Sequence, residues 1–564
     1  MLPTVSDAGR SAAQRSTVSE SGLDATAQKR LVAALLASDA FGVDRASLRL
    51  LETHISYVFL TGTFAYKVKK AIELGFLDFS SLSSRHFFCQ EELRLNRRSA
   101  PQLYLDVVPI SGEVNAPAID GEGPILDYAV KMREFPQQAL ASQALARGDL
   151  SPAQIDELAA DVAAFHSAIG VATIGGGFGM PEAILRIALQ NFAQFRPLAG
   201  STEGAAVLDA LEQWTLREHT ARAPTMLRRR EEGFVRDCHG DLHLGNIALI
   251  DGRLTIFDCV EFNEQMRWID VMSEIAFTVM DLEDRGRPDL ARRFLNAYLE
   301  ITGDYEGLSV LRFYLVYRAM VRAKIAVLRS VQLGATDLQA EARAESTGYV
   351  ALARRYAQPP GPGIVITHGL SGCGKTTLSQ ALLEISGAVR IRTDVERKRA
   401  LRFESAKGVK QDVDEGLYSP QATEKTYDVV LGLTRAAATA GYLTIVDGAF
   451  LKRWQRDMFR RLAAELHMPF AIVTFAASEA TLRTRVEQRQ RVGVDASDAN
   501  LTVLQHQLRS REPLATEEAA DVCVYDAEVP LAEARSPAHW WPLVQKLGIR
   551  DLPLAESVGF LSPR

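Results

Sequence analysis

Short apolar runs come first in this chain, and longer helical patterns follow. Residues 48–72 have the pattern of strands, with apolar runs at 57–60 and 64–68 on either side of the turn Thr61-Gly62-Thr63, and a further run covers 127–132. Apolar runs bounded by turn residues predict β-strands. Apolar positions recur at helical spacing in 26–40, 154–169 and 310–357, which predicts helices. Strands first and helices afterwards favour a two-lobed α+β unit.

The pattern changes at the Pro- and Gly-rich segment 358–363, which cannot continue a helix. Beyond it the order is strand, loop, helix, strand, helix, strand, which favours an α/β domain with a parallel sheet. We therefore predict a disordered tail over 1–25, an α+β domain over 26–357 and a linker over 358–363. An α/β domain over 364–550 and a C-terminal tail over 551–564 complete the division.

Composition narrows the class of protein. The chain has 564 residues, 47% hydrophobic and 24% charged, which is typical of a globular protein with more than one domain. A net charge of −6 gives no general reason to bind nucleic acid or an anionic membrane. The five cysteines are scattered without a Cys-x-x-Cys pair, so we expect neither disulfides nor zinc, and a reducing cytoplasm. No apolar run approaches the ~20 residues that span a bilayer.

The first candidate site is His239-Gly240-Asp241-Leu242-His243-Leu244-Gly245-Asn246, followed by Asp258. Phosphoryl transfer of the protein-kinase type requires a catalytic-loop Asp, an Asn for metal and a second Asp for metal. Asp241 and Asn246 have that spacing. Asp251-Gly252 between two apolar runs predicts a hairpin, which would return Asp258 to Asn246 so that both bind one magnesium ion. The alternative is a polar surface loop followed by an ordinary hairpin.

These residues resemble those of the aminoglycoside phosphotransferase and choline kinase group over about 30–350. The resemblance implies transfer from ATP to a small-molecule hydroxyl, with Asp241 as the general base or hydroxyl-orienting group. It implies that Asn246 and Asp258 are the magnesium ligands. Asp270 matches a downstream Asp that braces the catalytic loop in that group; a helix N-cap is the alternative.

The lysine that grips the nucleotide phosphates is expected on the third strand, two positions after a small residue. Ala65-Tyr66-Lys67 fits, and Lys69 shares the same face of the strand. The predicted helix 84–98 offers Glu92 as its ionic partner. The alternative is that the lysines of this segment form a solvated sheet edge. The segment has only Gly62 where protein kinases have a glycine-rich loop.

The second candidate site is a complete phosphate-binding loop between an apolar strand, 364–367, and a predicted helix. Glycines allow backbone N–H groups to surround phosphates, the helix N-terminus favours the anion, and Thr376 offers a hydroxyl to magnesium. The alternative, a glycine-rich loop that binds nothing, is disfavoured by this strand–loop–helix context. The predicted nucleotide-binding residues are Gly369, Leu370, Ser371, Gly372, Cys373, Gly374, Lys375, Thr376 and Thr377, with Lys375 also catalytic.

Residues beyond the loop suggest an acceptor site and a lid. Asp394 ends the next strand, expected beside the phosphate-binding-loop strand, where it could accept a hydroxyl proton. Asp447 ends an apolar strand and is a candidate magnesium ligand. Arg485 and Arg489 share one helical face and could close over the transferring phosphate. The alternatives are a helix cap for Asp394, a turn residue for Asp447 and a solvated face for the arginines.

The second half is similar to small P-loop kinases such as gluconate kinase, zeta-toxin-like kinases and polynucleotide 5′-kinases. The whole chain resembles bacterial fusions of an aminoglycoside-phosphotransferase-like domain with a P-loop kinase-like domain. We therefore expect an ATP- and Mg²⁺-dependent kinase acting on small-molecule hydroxyls. Other interpretations are a P-loop kinase or ATPase with a regulatory first domain, and a nucleic-acid 5′-hydroxyl kinase, which the acidic balance disfavours. The acceptors and the oligomeric state do not follow from the sequence.

Overall fold

The computed structural model describes residues 22–75, 77–198, 202–333, 336–400, 419–492 and 500–549. The chain divides into two compact units. The first contains the described residues up to Ala139 together with Thr255–Met266, and the second contains Leu140–Leu254 and the described residues from Arg267 onward. The predicted linker, 358–363, therefore falls within the second unit. Most of the predicted tails, 1–21 and 551–564, lies outside the described residues.

The first unit is built on an antiparallel sheet with strand order β1-β2-β3-β8-β6-β7. Its elements are α1 (Ala25–Ala37), β1 (Arg49–Glu52), β2 (Ser56–Leu60), β3 (Phe64–Lys69), β4 (Glu73–Leu74), β5 (Leu77–Asp78), α2 (Leu82–Asn96), β6 (Tyr104–Glu113), β7 (Ala116–Ile119) and β8 (Ile125–Arg133).

Strand β3 lies between β2 and β8 and presents different side chains to its two faces. Tyr66 and Val68 pack with Leu31 and Leu35 of α1 in an apolar cluster. Because side chains alternate along a strand, Lys67 and Lys69 lie on the opposite face. The side chains of Lys67 and Lys69 are only 12% and 0% exposed, so the solvated-edge interpretation is wrong.

The second unit begins with a mostly helical part. Its elements are α3 (Ala141–Arg147), α4 (Pro152–Ala168), α5 (Pro181–Phe195), α6 (Thr202–Glu231), β9 (Val235–Asp237), β10 (Ile247–Ile250), β11 (Arg253–Ile256), α7 (Glu264–Arg267), β12 (Trp268–Asp270), α8 (Val271–Asp284), α9 (Pro288–Thr302), α10 (Leu308–Gln332) and α11 (Asp337–Ala357). The chain crosses between the units within β11 and α7. Strands β10 and β11 form the two-stranded sheet that Asp251-Gly252 predicted.

The rest of the second unit is an α/β domain. Its elements are β13 (Gly363–His368), α12 (Lys375–Ser386), β14 (Val389–Arg392), α13 (Thr393–Ala400), α14 (Pro420–Thr439), β15 (Leu443–Asp447), α15 (Arg453–Glu465), β16 (Phe470–Ala476), α16 (Glu479–Val492), α17 (Leu501–Ser510), β17 (Val522–Asp526), α18 (Leu531–Ala534) and α19 (Trp541–Leu547).

Its strands run parallel in the order β14-β15-β13-β16-β17. The expectation that the strand ending at Asp394 lies beside the phosphate-binding-loop strand is therefore wrong. Strand β15 separates β14 from β13, and it brings Asp447 rather than Asp394 next to the loop. The parallel sheet and the preceding α+β region confirm the predicted fold class.

The helical part and the α/β domain pack against each other within the second unit. Arg312 of α10 donates to the carbonyl oxygens of Ala440 and Gly441, at 3.0 and 2.9 Å. Arg292 of α9 donates to the carbonyl oxygen of Glu384 at 2.8 Å. Among the described residues, no helix is long and apolar enough to cross a bilayer.

Candidate functional sites

The first unit contains a buried cluster of lysines and carboxylates. Lys67 Nζ lies 2.8 Å from Glu92 Oε1 and 2.5 Å from Asp258 Oδ1. Lys69 Nζ lies 2.7 Å from the other oxygen of Glu92 and also donates to Glu261. Glu92 therefore joins the two lysines, as the predicted pairing of Lys67 with Glu92 requires. Sequence reasoning placed Lys69 on the correct face but did not identify it or Glu261 as members of the cluster.

The charges of this cluster stabilise one another. Burial alone would lower the pKa of Lys67, but Asp258 and Glu92 raise it well above its ordinary value. Burial would raise the pKa of Glu92, but Lys67 and Lys69 hold it below its ordinary value. Both partners are therefore charged at neutral pH, and the Lys67 ammonium is fixed in position.

Asp258 occupies an unusual backbone conformation. Its φ is +63°, in the left-handed region that residues other than glycine seldom adopt. The backbone N–H of Asp258 donates to the Tyr104 hydroxyl at 3.1 Å, and that of Cys259 donates to Asn96 Oδ1 at 2.8 Å. Asn96 ends the helix that carries Glu92. Backbone strain of this kind is typical of positions where a side chain must be aimed precisely by its surroundings.

The predicted catalytic loop lies in the second unit. Asn246 Nδ2 donates to both the backbone and the side-chain oxygen of Asp241, at 2.9 and 3.0 Å, and His243 Nε2 lies 3.4 Å from the Asp241 carboxylate. Burial would raise the pKa of Asp241, but the positive charges of His243, His239 and Arg318 outweigh burial and hold the pKa below its ordinary value. Asp241 is therefore a carboxylate at neutral pH.

Helix α8 braces this loop through three polar side chains on one face. Asp270 N-caps the helix, accepting from Met272 N at 2.9 Å, and its carboxylate also pairs with Arg229 at 2.8 Å. The bracing contacts predicted for Asp270 are made further along α8: Glu274 accepts from His239 N at 2.7 Å, Thr278 donates to Leu242 O at 2.8 Å, and Asp281 accepts from Leu244 N at 2.8 Å. The signal in the sequence was polar residues at helical spacing within an otherwise apolar helix.

His166, Cys238 and Glu274 form a buried cluster whose potential ligand atoms lie within 4.8 Å of one another. Burial raises the pKa of the Cys238 thiol well above its ordinary value. The Glu274 carboxylate is already engaged by the backbone of the catalytic loop. We assign these residues to support of the loop.

The predicted phosphate-binding loop connects β13 to α12. Gly369, Gly372 and Gly374 have positive φ values of +149°, +88° and +81°. A Cβ atom on Gly372 would lie 2.8 Å from the Leu482 carbonyl oxygen, so glycine is also required there by space. Lys375 Nζ donates to the carbonyl oxygens of Gly369 and Leu370, both at 2.9 Å. Leu370 and Cys373 are buried beneath the loop, and Thr376 and Thr377 lie in the first turn of α12.

Asp447 lies at the end of β15, beside the loop, and is 4% exposed. Its two oxygens lie 3.4 Å from the hydroxyls of Thr367 and Ser379. Long contacts with neutral hydroxyls compensate a buried carboxylate poorly. The positive charge of Arg392 also acts on Asp447, and the carboxylate has the oxygen donors that a divalent cation requires.

Asp394 lies in the first turn of α13, and Arg392 holds its carboxylate with two contacts, 3.3 Å from Nε and 3.0 Å from NH2. Asp394 Oδ1 also accepts from Val395 N at 3.0 Å. Asp394 thus lies inside the helix and accepts from the next backbone N–H, whereas an N-cap precedes the helix and accepts two or three residues on. Its ion pair with Arg392 fixes its orientation.

Helices α16 and α17 approach the loop. Arg485 donates to the Ala527 carbonyl oxygen at 3.0 Å, and its guanidinium lies within 3.5 Å of the position that a Cβ on Gly374 would occupy. Gln507 of α17 accepts from the backbone N–H of Ser371 at 2.8 Å, a contact that sequence reasoning missed. Arg489 falls within α16, but its side chain lies outside the described part of the structure.

His368 precedes the loop and was also missed. Burial, aided by the positive charges of Arg456 and Lys375, lowers the pKa of its imidazole to about 4. A neutral His368 is therefore built into the base of the loop at neutral pH.

Two family models match separate parts of the chain. A model of the phosphotransferase enzyme family matches residues 100–314, and a model described as AAA domain matches residues 364–514. Uncharacterised proteins of Mycobacterium tuberculosis and Mycobacterium bovis are 32% identical over 436 residues, covering 77% of this chain and 84% of theirs. The chain therefore belongs to the same family as these mycobacterial proteins, and it combines a phosphotransferase-family domain with a P-loop kinase domain.

Solved structures similar to each half are also known. A sugar kinase from Janibacter is 20% identical, covering 34% of this chain and 96% of its own, with a TM-score of 0.26. A gluconokinase from Sinorhizobium meliloti is 21% identical, covering 33% and 95%, with a TM-score of 0.25. A putative aminoglycoside phosphotransferase from Ralstonia eutropha is 15% identical, covering 58% and 98%, with a TM-score of 0.33.

Proposed function

We propose that this phosphotransfer enzyme uses ATP and Mg²⁺ at two nucleotide sites and transfers the γ-phosphoryl group to hydroxyls of small molecules in the cytoplasm. The observation that carries the proposal is the pairing, in each half, of a fixed lysine with a carboxylate suited to magnesium. Lys67 has Asp258 beside it, and Lys375 lies in a loop next to Asp447.

The charge balance of the first-unit cluster supports a metal there. Lys67 and Lys69 face three carboxylates, those of Glu92, Asp258 and Glu261. One carboxylate is thus in excess when all five groups are ionised, and the Asp258 side chain is 40% exposed and accessible to a cation. Magnesium bound by Asp258 would neutralise charge on the phosphates. Lys67 would hold phosphate oxygens, and its ion pair with Glu92 would keep it in place.

Asp241 then acts on the acceptor. Because its pKa is low, it is a weak base, and its main role is to orient the attacking hydroxyl and accept its proton as the new O–P bond forms. Phosphoryl transfer requires little more of this residue, since catalysis depends mostly on positioning and electrostatic stabilisation.

A cavity supports a small acceptor at the second site. It has a volume of about 510 Å³ and is lined by Thr376, Thr377, Arg390, Arg392 and Glu300, among others. This volume is within the range of small-molecule sites, roughly 300–1,000 Å³. Asp394 is joined to this cavity through Arg392, one of its lining residues, and would accept the hydroxyl proton, while Lys375 and the N–H groups of the loop hold the phosphates.

The proposal is tested by a phosphoryl-transfer screen with labelled ATP on the full chain. The acceptors are sugars, aminoglycosides, nucleosides and 5′-hydroxyl oligonucleotides. Two variants assign any product to its site: Asp241→Asn silences the first site and Lys375→Ala the second. We expect each variant to lose a different product. Transfer only to oligonucleotides, or ATP hydrolysis with no transfer to any acceptor, would contradict the small-molecule assignment.

A further inference from the structure

Two arginines of β14 connect the P-loop kinase domain to a helix of the phosphotransferase domain. Arg390 and Arg392 are 6% and 9% exposed. Glu300 of α9 places Oε1 3.0 Å from Arg392 NH1 and Oε2 3.5 Å from Arg390 NH2. A buried guanidinium requires a counter-charge, and Glu300 supplies one to both.

The other ends of the two guanidinium groups reach the P-loop site. Arg390 NH1 donates to the Thr376 carbonyl oxygen at 3.0 Å and to Ser379 Oγ at 3.3 Å. Arg392 holds the carboxylate of Asp394 through two of its nitrogens. Glu300 thus reaches Thr376 through Arg390. It reaches Asp394, the candidate acceptor-side base, through Arg392.

We propose that Glu300 is a positioning residue for the P-loop kinase site. It fixes Arg390 and Arg392, whose planar guanidinium groups transmit that orientation to the first turn of α12 and to Asp394. The P-loop site is therefore complete only when α9 of the phosphotransferase domain is docked against it. The role of Asp394 as a base rests on the proposed function. The ordering of the first turn of α12 and of β14 by Glu300 does not.

Other contacts across this interface provide a matched control. Arg312 also comes from the helical part and also bonds to the α/β domain, but its hydrogen bonds go to the carbonyl oxygens of Ala440 and Gly441, and its guanidinium lies over the ring of Tyr442. An effect that arises from general loosening of the interface should appear in Arg312→Gln, whereas a positioning effect should appear only in Glu300→Gln.

The first readout is turnover at the P-loop site of the full chain, in an Asp241→Asn background that silences the first site. Turnover is measured with the acceptor found in the screen, or as ATP hydrolysis. We expect Glu300→Gln to lower kcat about 10-fold, the scale of coupling through such networks. The dissociation constant of magnesium-ATP should change less than about 2-fold, because Lys375 and the loop are intact. Arg312→Gln should keep kcat. Glu300→Asp, which retains the charge, should recover part of the loss.

The same measurement separates positioning from direct binding of the acceptor, since Glu300 also lines the cavity. A rise in the KM for the acceptor with kcat preserved would overturn the proposal in favour of a binding residue. Equal losses of kcat in Glu300→Gln and Arg312→Gln would overturn it in favour of a general interface effect.

A second readout does not depend on activity. Hydrogen exchange of backbone amides is followed in peptides covering 376–380 and 389–395 of the full-length variants. Glu300→Gln should exchange several-fold faster there than the parent, and Arg312→Gln should not. Unchanged exchange in Glu300→Gln would overturn the proposal even if the acceptor is never found. Faster exchange without any turnover in the parent would contradict the proposed function alone.

Discussion

The two candidate nucleotide sites hold their lysines by different physical means. Lys67 is fixed by carboxylates that come from distant parts of the chain, Glu92 and Asp258. Lys375 is fixed by backbone carbonyl oxygens of its own loop. The first arrangement depends on tertiary packing, and the second is largely contained in one short segment. The first site should therefore be sensitive to charge changes in its core, and the second to changes within the loop.

The largest effect is expected from breaking the buried cluster of the first unit. Lys69→Met leaves Glu92 and Glu261 close together without their shared cation. Removing one partner of a buried ion pair costs about 3–5 kcal/mol. We expect the free energy of unfolding to fall by that amount, measured by denaturant titration. Lys70→Met, which removes a lysine that pairs with the half-exposed Glu52 and lies over the Tyr57 ring, is the control and should lose less than about 1 kcal/mol. Similar losses in the two variants would contradict the idea that the first site depends on buried charge.

Lys375→Ala addresses the other half of the comparison. It removes the cation from the P-loop while leaving the glycines intact, and turnover at this site should fall about 10²–10³-fold, as when one preorganised electrostatic group is lost. Magnesium-ATP binding at the second site should be abolished in calorimetry, and binding at the first site should remain. Lys425→Ala, an exposed lysine of α14, is the control. If both binding events disappear, the two sites are not independent.

Asp241→Asn tests the catalytic loop of the first site. The asparagine keeps the shape of the side chain but removes its negative charge, so turnover should fall ~10²-fold or more, as for loss of a positioned base. Affinity for ATP should change little. Asp251→Asn, in the exposed hairpin turn, should keep the parental rate. An unchanged rate for Asp241→Asn would show that the first site does not act on the acceptor used.

Asp394→Asn is the corresponding change at the second site, with a smaller expected loss of about 10²-fold or less because Lys375 and Thr376 still hold the nucleotide. Asparagine is as good a helix cap as aspartate. A purely capping role therefore predicts parental transfer rates, whereas a role as base predicts loss of transfer with magnesium-ATP binding preserved. Kinetics with saturating acceptor and calorimetry with ATP distinguish the two.

The smallest effect concerns pH. The pKa of His368 is lowered to about 4 from an ordinary value of 6.5, so the unfolded chain binds a proton between these values and the folded chain does not. Stability is then lost as the pH falls through about 6.5. Between pH 7 and 5.5 this group should remove about 1 kcal/mol, and His368→Gln should lack that part of the decline. Parallel pH profiles for the variant and the parent would contradict the burial of a neutral imidazole.

Sequence reasoning succeeded where the determinants are local. The predicted phosphate-binding loop, its strand and its helix are contiguous, and the structure places the strand within one residue of the predicted 364–367, with α12 directly after the loop. The hairpin at Asp251-Gly252 was likewise encoded by its turn residues. Lys67 was found from strand alternation, although its partner Asp258 is far away in the chain.

Sequence reasoning failed for features that depend on contacts between distant parts of the chain. Strands β6 and β7 were not predicted, because Pro109 and Gly112 interrupt the apolar pattern; in the structure β6 pairs with β8 through shifts of register. The order of the parallel strands could not be read from periodicity, so β15 was not expected between β14 and β13. The brace formed by Glu274, Thr278 and Asp281 was hidden within a helix that is buried on nearly every side.

Asn296 of α9 has a consequence for the solubility of the P-loop kinase domain. Its side chain accepts from the backbone N–H of Arg390 at 2.7 Å and donates to the carbonyl oxygen of Ala388 at 3.1 Å. Strand β14 is the outermost strand of the parallel sheet, and a bare edge of this kind is a template for pairing with other chains. A side-chain amide thus takes the place of a neighbouring strand. A P-loop fragment cut free of α9 would expose that edge, and we expect it to aggregate more readily than the intact chain.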